Sequence, residues 1–118
     1  MKTFLAIYLG AMHDDSFKSW MAMPEAERKA KEKEGMEAWG TWMSEHASAV
    51  IDGGAPLGKT KRVDKSGVVD TKNALSGYAI VRAESHEEAA KMFENHPHFT
   101  IFPGESVEIM ECLAMPKM

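Results

Sequence analysis

Hydrophobic and polar positions divide the chain into a series of short, alternating elements. Residues 2–9, "KTFLAIYL", are apolar on both alternating faces, the pattern of a central strand covered on two sides. "GAMHDDS" (10–16) reads as a loop, and Phe17, Trp20, Met21 and Met23 as a short helix that stops before Pro24. Pro24 suits the first turn of a longer helix, with Glu25 and Glu27 at the positive end of its dipole. That helix is expected over 24–47. Its apolar stripe is Met36, Trp39, Met43 and Ala47, spaced by three and four, with Trp42 and His46 flanking it. Gly35 and Gly40 each cost about 1 kcal/mol of helix stability relative to alanine, and helix glycines often mark a close approach of another segment.

A short strand follows at 48–52. "GGAPLG" (53–58) is a break, and two polar runs flanking "DKSG" (64–67) predict an exposed hairpin. "LSGYAIVRA" (75–83) reads as a strand. Ser85 and Glu88 form a capping box for a helix over 86–95 that Pro97 stops, and 105–113 reads as the last strand. Without the hairpin the order is βαββαβ. The expected fold class is therefore α+β, ferredoxin-like, with an added hairpin and with both helices on one face of an antiparallel sheet. The first strand is apolar on its other side too, so a homodimer that stacks two sheets is expected.

Composition narrows the picture. A chain of 118 residues, 44% apolar and 27% charged, suits one soluble domain spanning 1–118. A net charge of -4 speaks against general nucleic-acid binding, which needs a basic surface. No apolar run approaches the roughly 20 residues of a membrane span. The N-terminal apolar run is strand-length and followed by acidic residues, so it is not read as a secretory signal. The single cysteine, Cys112, permits no internal disulfide. A cytoplasmic location is expected, with Cys112 as a small buried hydrophobe.

Four segments together carry a family resemblance: "MEAWGTWM", "VIDGGAPLG", "VVDTKNALSGYAIVRAESHEEAAKMFENHP" and "GESVEIMECL". In order and spacing the chain resembles the YCII-related (DGPF) family over about residues 2–114. The resemblance implies a ferredoxin-like α+β domain that pairs as a dimeric α/β barrel. Asp70 matches the aspartate of the DGPF signature, whereas the following Thr71, Lys72 and Asn73 depart from it. In one branch of the family a histidine on the first helix and an aspartate before the late proline form a proposed catalytic dyad. Those positions here are Met36 and His96, so the dyad is not carried over.

The candidate chemistry centres on histidine. His96 and His98 flank Pro97, and in an extended segment both rings would face one pocket. They fit three roles: capping the end of the preceding helix, acid–base chemistry near neutral pH, or metal ligation. A metal would need further donors, and the spacing of His13, Asp14, Glu105 and Glu108 does not single them out. His13 beside Asp14 and Asp15 is a third acid–base candidate. Trp39 and Trp42 suit either core packing or the wall of a small-molecule pocket between the long helix and the sheet. Phe4, Tyr8 and Tyr78 are candidates for the opposite wall, and Lys59, Lys61 and Arg62 for a rim that binds a carboxylate. "DGGAPLGKTKR" lacks the spacing and following helix of a phosphate loop. The functional expectation is a small cofactor-independent enzyme of isomerase or lyase type, using His98, His96 or His13 on a small metabolite. The alternative is a dimeric binding module with no catalysis.

Overall fold

The computed structural model describes residues 1–10 and 15–116. Strand β1 (Lys2–Leu9) lies in the middle of a four-stranded antiparallel sheet of order β2-β5-β1-β6, with β2 at Val50–Asp52, β5 at Leu75–Ala83 and β6 at Ser106–Glu111. The register sets which side chains share a face. Phe4 pairs with Val81, Ala6 with Ala79 and Tyr8 with Gly77, and all six are buried on the side that carries the helices. The small residues Ala6 and Ala79 at the sheet centre leave room for two large rings, Trp42 from a helix and Phe93 from the turn after one.

Helix α1 (Asp15–Ala22) and the long α2 (Glu25–Glu45) precede β2, with Pro24 at the N-cap of α2. Helix α3 (His86–Lys91) starts as its sequence predicts: the Ser85 hydroxyl accepts the Glu88 N–H at 3.1 Å. It ends earlier than expected. Turns follow, with Asn95 at φ 58°, and a separate helical turn, α4 (Pro97–Thr100), begins at the proline. Pro97 therefore opens a helix instead of closing one, because its fixed φ and missing N–H suit the first helical position.

The stripe on α2 is also rotated from the predicted one. Met36 is 63% exposed and Ala47 is exposed, whereas Gly35 and Trp42 are buried and Trp39 and His46 half-buried. The inward line is thus 35, 39, 42 and 46: Trp39 is shared with the expected stripe and Met43 still packs half-buried on the core, but Met36 and Ala47 give way to Gly35, Trp42 and His46. Gly35 explains the shift, since the Phe102 ring occupies the space its β-carbon would fill, 2.5 Å away. Cys112 is exposed, just beyond the end of β6, and is not the buried hydrophobe expected. Its N–H still bonds to the Thr3 carbonyl at 2.8 Å, so the backbone follows β1 while the side chain is outside the core.

Trp42 ties the helical layer together by donating its indole N–H to the Met92 carbonyl at 2.7 Å. Trp42→Phe, which keeps a ring but removes the donor, is expected to lower unfolding free energy by about 1–2 kcal/mol. Urea denaturation checks this, and an unchanged midpoint would remove the hydrogen bond's structural role.

On the other side of the sheet Leu5, Ile7 and Leu9 are half-buried, beside Ile80 and the exposed Met110. The predicted hairpin forms a separate two-stranded sheet, β3 (Thr60–Asp64) with β4 (Gly67–Thr71). Asp64 accepts the Ser66 N–H in its turn, and Gly67 takes φ 114°. Among the described residues no helix is long and apolar enough to cross a membrane.

Candidate functional site

The site begins with the local folding of His96-Pro97-His98. His96 is extended, with φ −63° and ψ 141°, and its Nδ1 accepts the His98 N–H at 3.0 Å as the N-cap of α4. It does not cap the carbonyls of the preceding helix. The segment from Pro97 is helical, not extended, yet both imidazoles meet the same ring: His96 and His98 each lie 5.2 Å from Tyr8, centroid to centroid.

These hydrogen bonds fix the tautomers. His96 accepts at Nδ1, so its proton is on Nε2. Nε2 is buried without a hydrogen-bond partner, inside an enclosure of Trp39 at 4.5 Å, Trp42 at 4.9 Å, Tyr8 and Phe93. Desolvation pushes the His96 pKa down to about 4, helped by the nearness of His98 and His46, which disfavour another positive charge. His98 donates Nε2–H to the Leu9 carbonyl at 2.8 Å, which leaves its lone pair on Nδ1. Burial lowers its pKa as well, partly opposed by backbone hydrogen bonding at Leu9 and Ser106, so His98 is neutral at pH 7. Burial pushes the Tyr8 phenol up to about 12, and it stays protonated.

Gly104 makes the placement of His98 possible. A β-carbon there would collide with Cε1 and Nε2 of the His98 ring and with its backbone oxygen. The same turn is closed by Gly104 N–H to His98 O at 2.9 Å and by Glu105 N–H to Leu9 O at 2.8 Å.

His98 borders a cavity of about 410 Å³ at the end of the sheet. Tyr8, Trp39, Met36 and Phe102 supply apolar walls. The loop Gly53–Pro56 closes another side, with Ser76 beside it. Tyr8 and Trp39 are 5.1 Å apart and tilted, which gives the cavity an aromatic corner. Pockets of this size with few polar groups suit a small ring-bearing molecule.

The candidates from the sequence separate clearly. His98, Tyr8 and Trp39 border the cavity. Tyr78 does too, although strand alternation puts its side chain on the face opposite Tyr8, so it contributes backbone. Trp42 and His96 do not border the cavity; they form the buried layer that holds Trp39 and His98. Lys59 is exposed where the hairpin leaves the body and does not border it either. His13 and Asp14 lie outside the described residues. Among the described residues no group of three or more His, Cys, Asp or Glu side chains could hold a metal ion.

Phe102 was not among the candidates, and the Gly53–Pro56 loop entered only as a weak phosphate-loop reading, not as a cavity wall. The loop had a signal in its glycine doublet. Gly54 has φ 74°, and a β-carbon there would strike the Tyr78 carbonyl. Phe102 carried no local signal, because its role depends on Gly35 and Trp39 across the fold.

No protein-family profile matches the chain, and no curated protein matches it. Among solved structures it is similar to 5-chloro-2-hydroxyhydroquinone dehydrochlorinase (TftG) from Burkholderia phenoliruptrix AC1100, in complex with 2,5-dihydroxybenzoquinone. The TM-score is 0.52 at 16% identity, over 92% of this chain and 90% of that one. At that identity the likeness supports the ferredoxin-like α+β fold and carries no residue roles.

Proposed function

We propose that the chain is a small cofactor-independent enzyme of isomerase or lyase type, acting on a planar hydroxylated ring compound with His98 as acid and base. One observation carries the reading: a neutral imidazole stands in the wall of an apolar cavity beside the Tyr8 and Trp39 rings. The Leu9 carbonyl holds Nε2–H, so Nδ1 takes a proton from the bound molecule and returns it at a second position or to a leaving group. No electron is gained or lost, so the step needs no redox partner. The dehydrochlorinase with the same fold is named for the loss of chloride from a hydroxylated ring, which agrees with the elimination form of this chemistry. The structural likeness to it also agrees with the YCII-related resemblance. Two copies would pair through the open sheet face around Leu5, Ile7 and Leu9.

A second reading is a ligand-binding module without turnover. It is favoured by the scarcity of polar groups: His98, Ser76, the Tyr8 phenol and the Trp39 indole N–H are the side chains able to exchange a proton or hydrogen-bond a ligand among the described residues of the wall.

Intrinsic tryptophan fluorescence during titration with 2,5-dihydroxybenzoquinone and a panel of hydroxylated and halogenated aromatics decides between them, with product analysis on the same samples. His98→Asn is expected to lower turnover about 100-fold or more while leaving binding within a few-fold. Full turnover in His98→Asn would overturn the acid–base role. Binding without conversion of any compound would favour the second reading, and no binding at all would remove both.

A further inference from the structure

The β3–β4 hairpin is not accounted for by the cavity. Residues 61–70 are all exposed, including Val63 at 72% and Val68 at 63%, which pair across the strands and share one face with the Lys61–Asp70 ion pair. An isolated two-stranded hairpin is marginal in water, and both of its outer edges carry unpaired backbone groups. The arm is also oppositely charged to the rest of the chain. Residues 59–72 hold five cations and two carboxylates, which leaves nine cations and sixteen carboxylates elsewhere. The acidic counterpart with an open backbone edge is β6. Residues 105–116 contain Glu105, Glu108 and Glu111 and no lysine or arginine, and β6 is a terminal strand of the sheet. Glu108 and Met110 are exposed there. Glu108 pairs with Ile7 in the β1–β6 register, two positions along from the pair of Met110 with Leu5, and alternation puts both pairs on the face away from the helices.

A chain cannot readily satisfy this match within itself. The arm follows β2 and the 53–58 segment, whose Pro56 bridges to Gly77 of β5, so it leaves the sheet on the edge opposite β6. A two-fold axis removes that difficulty by bringing the arm of one copy to the β6 of another, twice over.

We infer that the β3–β4 hairpin is an exchanged arm: in a pair of copies it lies on the partner's β6 side. Val63 and Val68 cover Met110 and Leu5, and Lys61 on the same face, with Lys65 in the turn, lies toward Glu108. The inference rests on the proposed pairing of two copies and adds the element that holds them.

Sedimentation velocity at micromolar concentration and disulfide trapping test it together. With Cys112→Ser as background, Val68→Cys/Met110→Cys is expected to give a covalent dimer on mild oxidation, while either cysteine alone gives little. Glu108→Lys is expected to weaken the dimer about tenfold, and adding Lys61→Glu/Lys65→Glu is expected to restore most of it. All these positions are exposed, and far-ultraviolet circular dichroism checks that each variant stays folded. A wild-type monomer would overturn both the arm and the pairing. A dimer that neither traps nor responds to the charge reversals would overturn the arm alone and leave the sheet-face pairing standing.

Discussion

Replacing Gly104 by alanine is expected to lower unfolding free energy by about 3 kcal/mol and to remove His98 from the cavity wall. The cause is steric. Gly104 has ordinary negative-φ backbone, so alanine meets no conformational penalty there, but its methyl group would overlap Cε1 and Nε2 of His98 and the His98 carbonyl oxygen. A ring can rotate away, but a backbone oxygen held by the Gly104 N–H at 2.9 Å cannot. Relief therefore requires the 98–104 turn to open, which breaks the His98 Nε2–H bond to Leu9 as well. Gly40→Ala is the matching control. It lies inside α2 with nothing within 4 Å of a built β-carbon, and is expected to stabilise by about 0.5–1 kcal/mol. Urea denaturation of both, with the tryptophan-fluorescence titration repeated on Gly104→Ala, measures the effects. If Gly104→Ala matched wild type in both assays, the tight seating of His98 would be refuted.

The elements that were legible in the sequence are those in which local pattern and tertiary demand agree. The alternation through Phe4, Ala6 and Tyr8, the Ser85 cap and the "DKSG" turn each encode their structure within a few residues. The misread features depend on partners far along the chain. On α2 hydrophobicity favoured Met36, but the ring of Phe102, 67 positions after Gly35, turns the glycine inward and Met36 toward the cavity mouth. Pro97 was ambiguous locally because proline both follows helices and begins them. What decides is whether residue 96 can cap, and a histidine ring held dry by four aromatic side chains does so. The histidine pair was visible as a motif, but its division of labour was not. One ring borders the cavity and the other holds it, and that depends on burial, which composition does not reveal.

The fully buried His96 is expected to make the fold acid-sensitive at a defined place. Its Nδ1 holds the His98 N–H, so protonation there must break the cap of α4 and put a charge among Trp39, Trp42, Tyr8 and Phe93. The folded pKa is depressed to about 4 from an unfolded value near 6.5. The sign follows from linkage: in that window the unfolded chain binds a proton that folded His96 refuses, so the His96 contribution is flat above pH 6.5 and is lost as pH drops toward 4. The full difference amounts to about 3 kcal/mol. The groups facing His96 act in the same direction or not at all. His98 and His46 disfavour its charging, and the Tyr8 phenol is neutral throughout. His96→Asn isolates the effect, since asparagine caps a helix as well and does not titrate. The variant is expected to begin less stable at pH 7, from the lost ring, but to lose much less than wild type between pH 6.5 and 4. Urea midpoints across that range measure it. Equal losses in the two proteins would show that the acid sensitivity belongs to other groups, and that His96 tolerates a proton in the folded state.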